Sequence, residues 1–185
     1  MTKVFFDCEM TGLHKDTTLI SIGLVSECGK EFYAELTDYD RSQVDEWVEE
    51  NVLNNLMFND YGKVNKQLGS ITFVKGSKEE VGVALKDWFN LFDTVEIWSD
   101  CHHYDVVLLQ DFFGGAFGVP SHIYYIPFDI CTLMKALGID PDISREAFID
   151  TPIEGEKHNS LYDARVIQAC YEKLMRNKER YLAKN

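Results

Sequence analysis

Acidic side chains stand at three places in the chain where their types and spacing could support metal chemistry. Asp7 and Glu9 are one residue apart near the amino terminus, Asp105 lies mid-chain, and His158 precedes Asp163 by five residues. Carboxylate oxygens suit hard cations such as Mg²⁺ and Mn²⁺, and a histidine titrates near neutral pH. Four carboxylates and one histidine in this order suggest a two-metal phosphodiester hydrolase.

The first acidic pair follows an apolar run, Val4-Phe5-Phe6, and is followed by Gly12, which is typical of a strand that ends in a turn. Alternate residues of a strand share one face, so Asp7 and Glu9 are expected to point together. A buried carboxylate pair is costly unless a cation neutralises it. An isolated D-x-E is more often a strand end whose acids face water, so this motif alone is weak.

The third motif lies where a loop runs into the last predicted helix. Ser160 is predicted as the N-cap and Asp163 as the third helical residue, and this capping arrangement would by itself explain Asp163. It leaves His158 unexplained. The functional interpretation places Asp163 against the first acidic pair as a metal ligand. His158, on the more mobile loop, would then take a proton from the attacking water.

The middle motif follows a predicted strand and begins an apolar helix. Taken alone, Asp105 is best interpreted as an acidic residue in the first turn of a helix. A rival metal site of Asp100, His102 and His103 is disfavoured, because adjacent histidines are expected to point apart and no further His or Cys spacing completes a zinc ligand set.

Together these motifs resemble the DEDD 3'-5' exonucleases, in the DEDDh subclass whose third motif carries a histidine. The stretches 19–25, 31–34 and 47–53 are similar to the compact mycobacterial and phage-type 3'-5' exoribonucleases, and residues 7–13 are also similar to the opening motif of oligoribonuclease. Two features depart from the family pattern. Cys101 stands where many members carry Asn, and residues 57–76 form a longer segment, interpreted as a lid or a surface insertion.

The resemblance implies an α/β, ribonuclease H-like fold with a mixed sheet flanked by helices, formed by one exonuclease domain over residues 1–185. It implies two Mg²⁺ or Mn²⁺ ions, with release of nucleoside 5'-monophosphates from the 3' end of single-stranded or 3'-overhang nucleic acid. RNA is favoured and DNA stays open. The implied metal ligands are Asp7, Glu9, Asp105 and Asp163, with His158 as the catalytic base, and Met10, Thr11 and Leu13 would seat the terminal nucleotide. Tyr104 or Trp98 could stack on a base, although both are better interpreted as packing residues.

Hydrophobic periodicity and capping signals predict the elements that must position these residues. Strands are predicted near 3–8, 18–26, 31–36 and 94–99, and helices near 42–56, 78–92, 103–113, 130–137 and 161–178. Ser77 and Glu80 form a predicted capping box, and Asp129 is a predicted N-cap. Three early antiparallel strands followed by alternating units predict a mixed sheet.

The charge balance bears on the substrate. The chain has 31 acidic and 18 basic residues, for a net charge of -13, which disfavours tracking along a duplex and favours short or single-stranded substrates. The basic residues gather in two clusters, which are interpreted as solvated faces. These are Lys63, Lys66, Lys75 and Lys78, and Lys173, Arg176, Lys178, Arg180 and Lys184.

No apolar run approaches the roughly 20 residues of a membrane span. The five scattered cysteines lack a C-x-x-C pair, which predicts reduced thiols in the cytoplasm. A small-molecule phosphodiesterase and a non-catalytic nucleic-acid-binding module remain alternatives, and a homodimer is compatible with the sequence.

Overall fold

A seven-stranded mixed sheet forms the centre of the computed structural model, which describes residues 1–183 and so leaves Lys184 of the second basic cluster outside. The strands are β1 (Thr2–Met10), β2 (Leu19–Ser26), β3 (Glu31–Leu36), β4 (Val64–Leu68), β5 (Ile71–Gly76), β6 (Val95–Ser99) and β7 (Phe128–Asp129). Their order in the sheet is β4-β5-β3-β2-β1-β6-β7. Neighbouring strands β1, β2 and β3 are antiparallel, whereas β6 runs parallel to β1 and β5 runs parallel to β3.

The described part of the chain also forms seven α-helices. They are α1 (Glu46–Asn51), α2 (Lys78–Phe89), α3 (His103–Asp111), α4 (Ile130–Ala136), α5 (Arg145–Phe148), α6 (Ser160–Arg176) and α7 (Lys178–Leu182). Of these, α2, α3 and α6 pack on the sheet, and this confirms the predicted α/β class. Among residues 1–183, no helix has the length and apolar character needed to cross a membrane. The capping box of Ser77 and Glu80 and the N-cap at Asp129 are both confirmed.

Strand β1 alternates between the two faces of the sheet. Val4 and Phe6 pack in the core formed with α2 and α3, whereas Phe5 packs against α4 and α6. Because the side-chain period of a strand is two, Asp7 and Glu9 share the face of Phe5 and look toward α6. The predicted common direction of the acidic pair is confirmed.

Two small residues of β2 allow the first turn of α6 to rest directly on the sheet. Gly23 pairs with Asp7 across the ladder, and a Cβ atom at Gly23 would lie 2.3 Å from the backbone nitrogen of Leu161. Ser21 pairs with Glu9, and its hydroxyl lies 3.0 Å from that of Ser160 in a buried hydrogen bond. These contacts fix the start of α6 over the acidic residues of β1.

The N-cap of α6 differs from the prediction. Asn159 is the cap, since its side chain accepts a hydrogen bond from the backbone of Tyr162, and Ser160 is already helical. Asp163 therefore lies one position deeper than predicted, although it remains in the first turn. Both Asn and Ser are good caps, and the buried bond between Ser160 and Ser21 decides between them.

Residues 57–76 are neither a lid nor a surface insertion. Most of the segment is the β4–β5 hairpin, and β5 pairs along the whole of β3. Lys75 of β5 lies 3.3 Å from the fully buried carboxylate of Glu35, which also accepts hydrogen bonds from Tyr33 and the backbone of Phe58. The predicted helix over 42–56 is also shorter, because 3₁₀ turns at 41–43 and 53–55 flank α1.

Candidate active site

The acidic residues of β1 and α6 meet in one open cavity of about 410 Å³. Its lining includes Asp7, Glu9, His158 and Asp163, together with Arg145 of α5. Ligand atoms of Glu9, His158 and Asp163 all lie within 4.8 Å of one another. The first and third sequence motifs, more than 140 residues apart, therefore occupy one site.

Asp105 lies beneath this cavity rather than on its wall. Its side chain is only 6% exposed, and the hydroxyl of Ser99 donates a hydrogen bond of 3.0 Å to its carboxylate. Strand β6, which ends at Ser99, runs parallel to β1, so α3 begins at the same sheet edge that carries the first acidic pair. The charge of Asp105 is close enough to raise the pKa of both Asp7 and Glu9.

The four carboxylates are strongly destabilised as charged groups. Burial, followed by the charges of Glu9, Asp105 and Asp163, raises the pKa of Asp7 well above its usual value. Burial likewise raises the pKa of Glu9 to about 8, and those of Asp105 and Asp163 to about 7. Such mutual repulsion in a buried place is what a bound cation would relieve.

The donor set fits a hard divalent cation. The four groups offer only carboxylate oxygens, which Mg²⁺ and Mn²⁺ prefer over softer ligands. Few protein donors meet them: the carboxylate of Asp105 accepts a bond from Ser99, and that of Asp163 accepts one from the backbone of His158 at 2.8 Å. Asp7, Glu9, Asp105 and Asp163 are thus the residues that could hold the ions.

His158 stands at the rim of the site in a constrained backbone conformation. Its φ of +64° lies in the left-handed region, and its ring meets the edge of Trp47 with centroids 5.1 Å apart. Asn55 ties down the loop on both sides of it, bonding to Lys157 and Asn159 at 2.9 and 3.0 Å. Burial and the charge of Lys157 lower the pKa of the imidazole, which keeps it neutral and able to accept a proton at pH 7.

The predicted substrate residues do not line the cavity. Thr11 is 2% exposed, and its hydroxyl bonds to Gln43 at 2.6 Å and lies near the hydroxyls of Thr17 and Thr18, so its side chain holds the loop together. Met10 and Tyr104 pack partly against the core, and Leu13 is 78% exposed. The side chain of Thr11 therefore anchors the loop, and all four residues stay predicted substrate contacts.

Trp98 is a packing residue. Its ring stacks on Phe128 with centroids 4.9 Å apart and an angle of 20° between the planes, and Tyr171 meets it edge-on at 4.8 Å. Base stacking by Trp98 is therefore not supported, in agreement with the packing interpretation of its place in a strand.

Asp100 has different neighbours from those of the rival metal site that the sequence suggested, which combined it with His102 and His103. The rings of His102 and His103 lie parallel with centroids 5.7 Å apart, so the expectation that they point apart is wrong. Within residues 1–183, however, neither belongs to a cluster of three ligand atoms, whereas Asp100 clusters with Cys101 and Cys131. Sequence reasoning missed Arg145, whose four-residue helix carries no periodic signal and which binds Asp100 from across the cavity.

Residues 2–175 match the family described as the 3'-5' exoribonuclease Rv2179c-like domain. The chain is also 28% identical over 123 residues to the 3'-5' exoribonuclease Rv2179c of Mycobacterium tuberculosis (strain H37Rv), an alignment covering 65% of this chain and 67% of the relative.

Solved structures share the fold at low sequence identity. S. pombe Pop2p in its Mg²⁺ and Mn²⁺ bound form superposes with a TM-score of 0.62 at 14% identity, covering 93% of this chain and 82% of Pop2p. E. coli Exonuclease I in complex with a dA16 oligonucleotide gives a TM-score of 0.60 at 12% identity, covering 99% of this chain and 42% of that enzyme.

Proposed function

The chain belongs to the Rv2179c-like 3'-5' exoribonuclease family and is a 3'-5' exonuclease, and from this premise we propose that Asp7, Glu9, Asp105, Asp163 and His158 form its catalytic centre. The observation that supports the proposal is the meeting of three of these residues within 4.8 Å at a cavity whose carboxylates repel one another. Of the four carboxylates, only Asp105 and Asp163 accept hydrogen bonds from the protein. Hydrogen bonding therefore does not explain why the four are held together.

We propose His158 as the general base. Two observations support this role: its lowered pKa keeps the imidazole unprotonated at neutral pH, and it lies beside Glu9 and Asp163, the proposed ligands of the ions that would activate the attacking water. The backbone N–H of His158 donates to Asp163, and Asn55 donates to the carbonyl of Lys157 and accepts from Asn159, so the loop that carries the ring is held relative to the carboxylates. Trp47 supports the ring from the outer side.

We propose Mg²⁺ or Mn²⁺ as the cofactor, with two ions held by the four carboxylates. Both ions are named for S. pombe Pop2p, which shares the fold. The chemistry supplied by such ions when bound is activation of water and stabilisation of charge on the leaving 3' oxygen. The protein's own contribution is to hold four carboxylates in one place at the cost of their mutual repulsion.

We propose single-stranded RNA 3' ends or short oligonucleotides as substrates. The proposed products are nucleoside 5'-monophosphates. The family name supports RNA, and the fold-sharing Exonuclease I was solved with single-stranded dA16, so DNA is included in the test. Met10, Thr11, Leu13 and Tyr104 stay predicted substrate contacts. A homodimer and a cytoplasmic location also stay predictions.

A gel time course with Mn²⁺ or Mg²⁺ on matched 5'-labelled single-stranded RNA and DNA, and on a dinucleotide, tests this assignment. A metal-dependent ladder that shortens from the 3' end and is absent for Asp163→Ala is expected. Loss of the dinucleotide alone would indicate an oligoribonuclease-like enzyme or a small-molecule phosphodiesterase. Asp163→Ala that shortens strands at the wild-type rate would refute the proposed centre.

A further inference from the structure

Two thiols and one carboxylate lie together beside the cavity, and none of them belongs to the four proposed catalytic carboxylates. The sulfur atoms of Cys101 and Cys131 are 3.5 Å apart, and the thiol of Cys131 donates to Asp100 Oδ1 at 2.9 Å. Three ligand atoms of these residues lie within 4.8 Å of one another. We propose that Asp100, Cys101 and Cys131 form a second metal site, selective for a thiophilic divalent cation such as Zn²⁺.

The spacing of the ligands supports this. A tetrahedral Zn²⁺ with bonds of about 2.3 Å to sulfur and about 2.1 Å to oxygen needs its sulfurs about 3.8 Å apart and sulfur and oxygen about 3.6 Å apart. The two sulfurs are already within a few tenths of an ångström of this distance. The distance between Cys131 Sγ and Asp100 Oδ1 would increase from 2.9 Å by about 0.7 Å as the thiol proton is replaced by the cation.

The backbone holds the two cysteines in place independently of their side chains. The backbone nitrogens of Cys101 and Cys131 both donate to Asp129 Oδ1, at 3.1 and 3.3 Å. One carboxylate therefore anchors the loop after β6 to the first turn of α4. Because this anchor lies outside the proposed ligand set, the thiols stay adjacent whether or not a cation is bound.

Charge and hardness distinguish this site from the catalytic one. Two thiolates and Asp100 carry three negative charges, and Zn²⁺ with the guanidinium of Arg145 balances them; Arg145 lies 2.8 Å from Asp100 and 2.9 Å from Cys131. Thiolates favour Zn²⁺ over Mg²⁺ and Mn²⁺, whereas the four carboxylates favour the harder ions. Asp100 and Cys101 line the same cavity as Asp7 and Glu9, so a cation there would share the substrate's space.

Titration of the reduced protein with Co²⁺ in excess Mg²⁺ tests the proposal without reference to nuclease activity. Mg²⁺ occupies carboxylates, and a phosphine reductant prevents oxidation of the thiols. We expect one equivalent of Co²⁺ to give a thiolate charge-transfer band, proton release on binding, and displacement by Zn²⁺. Absence of the band in the wild-type protein would overturn the proposal.

Substitutions identify the ligands. Cys101→Ser and Cys131→Ser should abolish the two-thiolate spectrum and weaken Zn²⁺ binding by more than about tenfold, since even outer-shell partners contribute about 10- to 100-fold. Cys28→Ser, at an exposed cysteine in the β2–β3 turn, is the matched control and should bind as wild type. Cys101 is also exposed, so its substitution should leave folding intact. An unchanged band in both Cys101→Ser and Cys131→Ser would place the site elsewhere and refute the assignment.

Discussion

Substitution of Gly23 by alanine should separate the position of α6 from the chemistry of the residues it carries. An added Cβ would lie 2.3 Å from the nitrogen of Leu161 and 2.3 Å from the carbonyl carbon of Ser160. Both atoms belong to the backbone, so no side chain can rotate away. The strand or the helix must move by about 1 Å to restore ordinary contact, and Asp163 in the same first turn moves with the helix.

This substitution has two opposite effects on the free energy of unfolding. Overpacking of a core costs about 1–3 kcal/mol, whereas replacing glycine at a tolerated conformation gains only about 0.4–1 kcal/mol from the unfolded chain. Overpacking should outweigh the gain, with a net cost of up to about 2.6 kcal/mol, and lower the melting temperature by up to about 10 °C for a chain of this size. A displacement of about 1 Å at a catalytic group costs about 100-fold in rate.

The assay is the exonuclease rate on single-stranded RNA, together with the free energy of unfolding from denaturant titration. Gly62→Ala is the matched control, because an added Cβ there meets no atom within 4 Å. Gly23→Ala with wild-type rate and stability would refute the contact itself. Gly23→Ala with lower stability but an unchanged rate would refute the inference that the seat of α6 sets the position of Asp163.

Three further predictions concern the proposed catalytic residues. Asp7→Asn should abolish turnover yet raise the melting temperature in a chelator, because it removes one charge from a repelling group. His158→Asn, which tolerates the left-handed backbone, should lose most of the activity and keep the thermal shift on adding Mn²⁺; loss of both would instead assign His158 a ligand role. In the folded protein the pKa is raised to about 8 for Glu9 and to about 7 for Asp105 and Asp163, from ordinary values of 4.5 for Glu and 3.8 for Asp. Between the ordinary and the raised values the folded form therefore binds more protons than the unfolded form. Stability of the metal-free wild type relative to Glu9→Gln should therefore fall as pH rises from 5 to 8, and a flat difference in unfolding midpoints would contradict the raised pKa values.

The sequence predicted best where the pattern is long and local. The apolar run before Asp7, the capping box at Ser77 and the cap at Asp129 all have partners within a few residues, and each is found as predicted. The order of the acidic motifs along the chain could be matched to a family because few families carry carboxylates and a histidine in this order. Their meeting in space follows from strand alternation and from the parallel pairing of β6 with β1.

The misses come from contacts between distant segments. Thr11 could not be recognised as a loop anchor, because its partner Gln43 lies 32 residues away. Strand β4 exposes most of its side chains at the sheet edge and so lacks alternation. Arg145 sits on a helix too short for periodicity, although it forms a wall of the cavity.

Many basic side chains of this acidic protein are already paired with carboxylates, and this affects how the substrate is bound. Lys173 and Arg176 of the second basic cluster both pair with Asp150, and Lys63 of the first pairs with Glu80. The two cations lining the cavity are paired as well, Arg145 with Asp100 and Lys157 with Glu146 at 3.9 Å. Substrate phosphates must therefore compete with protein carboxylates for each of these positive charges.

Weak salt dependence follows from this pairing. If Arg145 and Lys157 are the only two cavity cations that meet phosphates, the logarithm of apparent affinity for a single strand should fall with the logarithm of salt at a slope no steeper than about -1.4. The measurement is KM for a single-stranded 12-mer between 50 and 300 mM KCl at constant Mg²⁺. A slope near -4 would reveal a basic path along the strand. A shallow slope would mean that binding energy comes from the terminal nucleotides and the ions, which suits an acidic protein acting on short RNA ends.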